Sequence, residues 1–69
     1  MKEFRLDGRE FVELCDLLKI MDLTQSGAEA KHCIADGKVK VNETVELRKR
    51  CKIRSGQVIE FKNQKIKVI

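Results

Sequence analysis

The chain has 69 residues, is 38% charged, lacks proline, tryptophan and tyrosine, and carries a formal net charge of +4. That length fits a single domain, residues 1–69, near the lower limit at which a hydrophobic core suffices without staples, and it leaves little room for a deep catalytic pocket. The charge is asymmetric: residues 1–24 hold four Lys/Arg and six Asp/Glu, a net of −2, and residues 25–69 hold eleven and five, a net of +6. This is the expected pattern of a surface with one anion-binding side. Lysines scattered to keep a small domain soluble are the plainer alternative.

In chain order, Lys2–Leu6 alternates, with Phe4 and Leu6 on one face, and predicts a short leading strand. Asp7 stands three residues before Glu10, the spacing of a capping box. Phe11, Leu14, Cys15, Leu18 and Met21 then recur at helical intervals, widened by Val12, Leu17 and Ile20. The first helix is therefore predicted over about Gly8–Met21. Ser26 and Glu29 repeat the capping-box spacing and open a second helix, with Ala28, Ala30, Cys33 and Ile34 on its apolar side. Gly37 ends it, where a left-handed residue is favoured.

Beyond Gly37 the period changes to two. Val39 and Val41 face inward and Lys38 and Lys40 outward, Asn42-Glu43 makes a turn, and Val45, Leu47, Ile53, Val58, Ile59 and Phe61 supply further inward positions around a Ser55-Gly56 turn. Lys65–Ile69 is a last alternating strand, with Ile66 and Val68 inward. The order strand, helix, helix, then three or four short strands makes an α+β domain.

Nothing in the start MKEFRLDGREF has the apolar core of a signal peptide, and Asp16, Lys19 and Asp22 interrupt the longest apolar stretch, so no membrane partner is expected. The three cysteines, Cys15, Cys33 and Cys51, make no Cys-x-x-Cys pair, and one histidine, His32, is the only imidazole. Free thiols in a reducing cytoplasm are expected, with no metal site and no cofactor. One histidine, no paired buried carboxylates and no glycine-rich phosphate loop leave no catalytic constellation, so an enzyme is not expected.

The elements that carry most information are the first helix, Gln25-Ser26-Gly27-Ala28-Glu29-Ala30-Lys31, Gly37-Lys38-Val39-Lys40-Val41-Asn42 and Gly56-x-x-Ile59-x-Phe61. Together, over about residues 11–61, their order resembles the S4-type RNA-binding domain, in particular the small bacterial one-domain S4-like proteins. The resemblance implies an S4-like (alpha-L) fold, with two packed helices followed by a small, mostly antiparallel sheet, and RNA as partner. The chain departs from the family pattern in four places. Gly27 and Lys31 stand where arginines are usual, Glu43 where a turn glycine is usual, and Gln57 where an aspartate is usual. The run Arg48-Lys49-Arg50, continued by Lys52 and Arg54, is the candidate compensation for the missing arginine.

Residues and resemblance agree on a basic face. The second helix, capped by Ser26 as a further candidate phosphate ligand, offers unpaired N-terminal amides at Gly27 and Ala28, where the helix dipole favours an anion. Lys31 lies one turn further in, Lys38 and Lys40 project from one strand face, and Arg48, Lys49, Arg50, Lys52 and Arg54 extend the surface. With Phe4, Phe11 and Phe61 all on apolar faces, no base-stacking platform is expected, and recognition of structured or double-stranded RNA through phosphates fits best, ribosomal RNA among the candidates. A monomer is expected. The alternative is a protein-interaction module whose basic face meets an acidic partner, for instance on the ribosome.

Overall fold

The computed structural model describes residues 1–69. Its elements are β1 (Lys2–Phe4), β2 (Val12–Glu13), α1 (Leu14–Ile20), α2 (Gly27–Ala35), β3 (Lys40–Val41), β4 (Thr44–Val45), β5 (Lys52–Ile53), β6 (Val58–Phe61) and β7 (Gln64–Val68). Five strands form one sheet in the order β1-β7-β6-β3-β4, and β2 and β5 form a separate two-stranded ribbon. Only β1 runs parallel to its neighbour, β7. The architecture is α+β, two packed helices followed by a mostly antiparallel sheet, with two short strands ahead of the helices. No helix is long and apolar enough to cross a membrane.

The first helix begins six residues later than the periodicity predicts. Asp7 and Gly8 have φ of +52° and +88°, and the Arg9 amide donates to the Leu6 carbonyl at 3.2 Å. These residues make a tight turn with an Asp-Gly pair at its two positive-φ positions, the dipeptide such turns favour. An N-cap needs extended backbone, so Asp7 cannot cap and no Asp7–Glu10 box forms. Val12 and Glu13 instead pair with Ile53 and Lys52 of β5.

The N-cap residue of α1, Glu13, makes no side-chain bond. The Leu14 amide donates to the Cys51 carbonyl at 2.9 Å and the Cys15 amide to the Lys49 carbonyl at 3.1 Å. The backbone of a distant loop thus satisfies two of the donors that every helix start leaves open.

Both helices end in the same way. After α2, the Gly37 amide donates to Ile34 O at 3.0 Å and the Lys38 amide to Cys33 O at 3.1 Å, with Gly37 at φ +76° as expected. After α1, the Asp22 and Leu23 amides bond to Lys19 O and Leu18 O, each at 3.0 Å, with Asp22 in glycine's place at φ +59°. Each is the paired-bond termination that satisfies the last carbonyls of a helix. Leu18 and Leu23 are both buried, supplying the apolar contact that accompanies it.

Leu14, Leu17 and Leu18 of α1 and Ile34 of α2 are fully buried, in one cluster with Ile53, Ile59, Phe61, Ile66 and Val68. Val41, Ile59 and Ile66 stand opposite one another across three strands, which gives the sheet's inner face a continuous apolar row. Several expected inward positions turn out otherwise, with Phe11, Met21 and Cys33 only half-buried. Ile20, Val45 and Leu47 are exposed, and Val58 is half-buried because it alternates with the buried Ile59. For Val45 the cause is register. A two-residue turn, Asn42-Glu43, sets Thr44 opposite Val41 and Val45 opposite Lys40, so Val45 shares the outward face of Lys40. Ala28, expected on the buried side of α2, is also exposed.

Candidate nucleic-acid interface

Ser26 caps α2 from extended backbone, φ −151° and ψ 164°, its hydroxyl oxygen accepting the Glu29 amide at 3.1 Å. The Glu29 carboxylate reaches back to the Gln25 amide at 3.0 Å, one residue earlier than in the usual capping box. The amides of Gly27 and Ala28 precede the first intrahelical bond, from Ala30 to the Ser26 carbonyl at 3.1 Å. This end of the helix therefore favours negative charge, opposed in part by Glu29.

The loop carrying Arg48, Lys49 and Arg50 is held close by. Lys49 and Cys51 carbonyls cap α1, and the Cys51 amide returns to Arg48 O at 3.2 Å. Within it Arg48 is tightly engaged. Its Nε and one terminal nitrogen each donate to a different oxygen of Glu46 at 3.0 Å, and its backbone amide donates to the same carboxylate at 3.0 Å. These bonds from Arg48 hold the Glu46 carboxyl at about 2, well below its ordinary 4.5. Arg48 also donates to Cys51 Sγ at 3.5 Å. Burial pushes the Cys51 thiol up, with the Glu46 carboxylate adding to the effect, so it stays protonated and unreactive at neutral pH.

Three groupings result. Ala28, Lys31 and His32 of α2 line a shallow groove of about 180 Å³ with Lys49 of the loop. Arg48, Arg50, Cys51 and Lys52 line a second, of about 420 Å³. Lys52 and Arg54 stand over the ring of Phe11, at 5.0 and 5.7 Å from its centroid. Of the predicted residues, Ser26, Gly27 and Lys31 thus belong to one helix, and Lys31 shares a groove with Lys49. Lys38 and Lys40 are exposed but line none of these grooves. Lys40 lies on the outer sheet face, directly opposite Glu60, which in turn faces Lys65.

Sequence reasoning overlooked His32 as a groove residue and Phe11 as a surface one. It also overlooked a groove of mixed charge where Lys19, Asp22, Gln25 and Glu29 face Lys62. Lys62 reaches it from a two-residue β6–β7 turn in which both Lys62 and Asn63 have positive φ, +51° and +61°. That turn was foreshadowed only by Asn63. Glu13, Cys15 and Asp16 bring a thiol and two carboxylates within 4.8 Å of one another at the start of α1.

Residues 4–69 match the S4 domain family. The chain belongs to that family. It is 49% identical over 69 residues to YbcJ of Escherichia coli (strain K12), whose name marks it as a candidate RNA-binding protein; the match covers 100% of this chain and 99% of the relative. YbcJ of Shigella flexneri, named without a function, matches to the same extent. The solution structure of E. coli YbcJ superimposes with a TM-score of 0.77, covering 100% of this chain and 87% of that one, and is described as revealing an αL motif involved in RNA-binding. The helix pair and following sheet found here are that S4 fold.

Proposed function

We propose that this protein is a cytoplasmic, non-catalytic RNA-binding monomer. It grips structured or double-stranded RNA, ribosomal RNA among the candidates, through phosphate contacts on one basic face. The observation that carries the reading is the shared groove of Lys31 and Lys49, 18 positions apart in the chain and brought together because the loop of Lys49 caps α1. Arg50 and Lys52 extend the face along the second groove, lined by the same loop. Lysine and arginine spaced along two grooves that both draw on the Arg48-Lys49-Arg50 loop suit a polyanion, and the YbcJ relatives make RNA the polyanion of choice. Arg48, locked to Glu46, shapes the loop as much as it offers charge. Lys38 and Lys40 are peripheral contributors. His32 is the only imidazole and stands exposed, and the buried Cys51 thiol is protonated, so neither supplies an activated base or nucleophile.

The test is a salt series of binding isotherms on a structured RNA. With roughly four to six phosphates engaged, log K should fall against log salt with a slope of about −3 to −5. Neutralising Arg48, Lys49 and Arg50 together should flatten the slope by roughly 2 to 3 units and weaken binding about equally for all RNA sequences, since phosphate contacts position without reading bases. Unchanged affinity in a folded triple variant would remove the loop from the interface. Ribonuclease treatment of material captured from cells separates this reading from an acidic protein partner, which would stay bound.

A further inference from the structure

Phe11 is the one aromatic side chain that the core leaves out. Phe4 and Phe61 are 6% and 2% exposed and belong to the core cluster, whereas Phe11 is half-buried and outside it. The ribbon register explains why. Val12 stands opposite Ile53, and both are buried, so this pair marks the core side of the ribbon. Glu13 and Lys52, also opposite each other, face away. Continuing the alternation by one residue places Phe11 and Arg54 on that outward side, which is where the ring meets Lys52 Nζ and Arg54 Cζ.

We propose that Phe11, with Arg54 and Lys52 beside it, is a stacking site for one unpaired base of the bound RNA. The inference rests on the reading above and adds a contact with a base to a face so far made of phosphate contacts. Its chemistry is that of a planar π-system attached to a polyanion. The ring gives a stacking surface that accepts any base, the guanidinium is planar and stacks as well, and the lysine is a flexible point charge. Lys52 and Arg54 are exposed, so the ammonium is free to leave the ring for a flanking phosphate. Lys52 also lines the groove of Arg48, Arg50 and Cys51, which makes the site continuous with the basic loop. Glu13 is the acid on the same side and limits how closely a phosphate approaches there.

The experiment compares two RNA hairpins that differ only by a single-nucleotide bulge, bound by the parent protein, Phe11→Leu and Phe11→Trp. The parent should prefer the bulged hairpin by about fivefold or more, the lower end of what one base–aromatic stack supplies. Phe11→Leu keeps the apolar cover of the ribbon and should lose the preference, binding the bulged and unbulged hairpins alike. Phe11→Trp should keep it. Because the chain has no other tryptophan, indole fluorescence in that variant should be quenched by the bulged hairpin alone. A preference retained in a folded Phe11→Leu, or none in the parent, overturns the stacking site while leaving phosphate binding in place. Failure of the parent to bind either hairpin overturns both proposals.

Discussion

Asn42 and Val58 exchange two hydrogen bonds: the Asn42 amide donates to the Val58 carbonyl at 2.8 Å, and the Val58 amide donates to Asn42 Oδ1 at 2.9 Å. The side chain takes over as acceptor where the backbone of β3 turns away from β6, so the ladder gains a bond past the last paired residue. Replacing Asn42 by glycine keeps its φ of +50° accessible and removes that acceptor, with some added unfolded-chain entropy. The expected loss is about 1 kcal/mol, the net worth of one such bond, read as a lower urea midpoint at unchanged slope. A parental midpoint would mean that water serves the Val58 amide equally well.

The neighbouring position should respond in the opposite direction. Glu43 has φ +70°, a left-handed backbone without the side-chain bond to Val58 that Asn42 makes. Glu43→Gly relieves the strain at some cost in unfolded-chain entropy, and should be neutral or stabilising by up to about 1 kcal/mol. Thermal or urea unfolding decides it; a clear loss of stability would show that Glu43 does not hold positive φ in solution.

The two helix ends offer a second pair of opposite signs. At Gly37 a Cβ would sit 3.8 Å from Val45 Cγ1 and 4.0 Å from Leu47 Cδ2, ordinary contact distances. The Cβ itself fits, so the conformational penalty sets the lower bound for Gly37→Val, on the order of 1–2 kcal/mol, to which any crowding by the γ-methyls adds. Asp22→Gly, at the matching position after α1, should raise the unfolding midpoint, because glycine adopts φ +59° without the steric penalty. If both substitutions shift the midpoint in one direction, the shared termination is not what sets their energies.

Acid should act on the loop through Glu46. Its carboxyl is lowered from 4.5 to about 2, chiefly by the hydrogen bonds from Arg48. A carboxyl depressed on folding contributes stability that is complete above its unfolded value and is lost as pH falls through the folded one. The deficit of Glu46→Gln relative to the parent should thus be present at pH 5–7 and shrink between about pH 4.5 and 2. The Arg48 side chain is 76% exposed, so solvent screening keeps the effect small. Denaturation midpoints of both proteins across that window give the answer; a deficit independent of pH would assign the effect to loop packing.

Features carried by neighbouring residues were legible in the sequence. The Ser26 cap, the Gly37 termination, the Asn42-Glu43 turn and the inward Val39, Val41, Ile66 and Val68 each follow from a side chain acting on its own backbone or from strict alternation. The S4 fold itself was readable because it is an ordered string of such local signals. The tertiary structure decided whatever depends on distant chain segments meeting. Helix α1 starts at Leu14 because carbonyls of Lys49 and Cys51 cap it, and no periodicity carries that information. Lys31 shares a groove with Lys49, and Phe11 meets Lys52 and Arg54, through packing and strand register. Composition located the positive charge in the second half of the chain. Only the closure of long loops, at an entropy cost that core burial offsets, determined which of those charges share a groove.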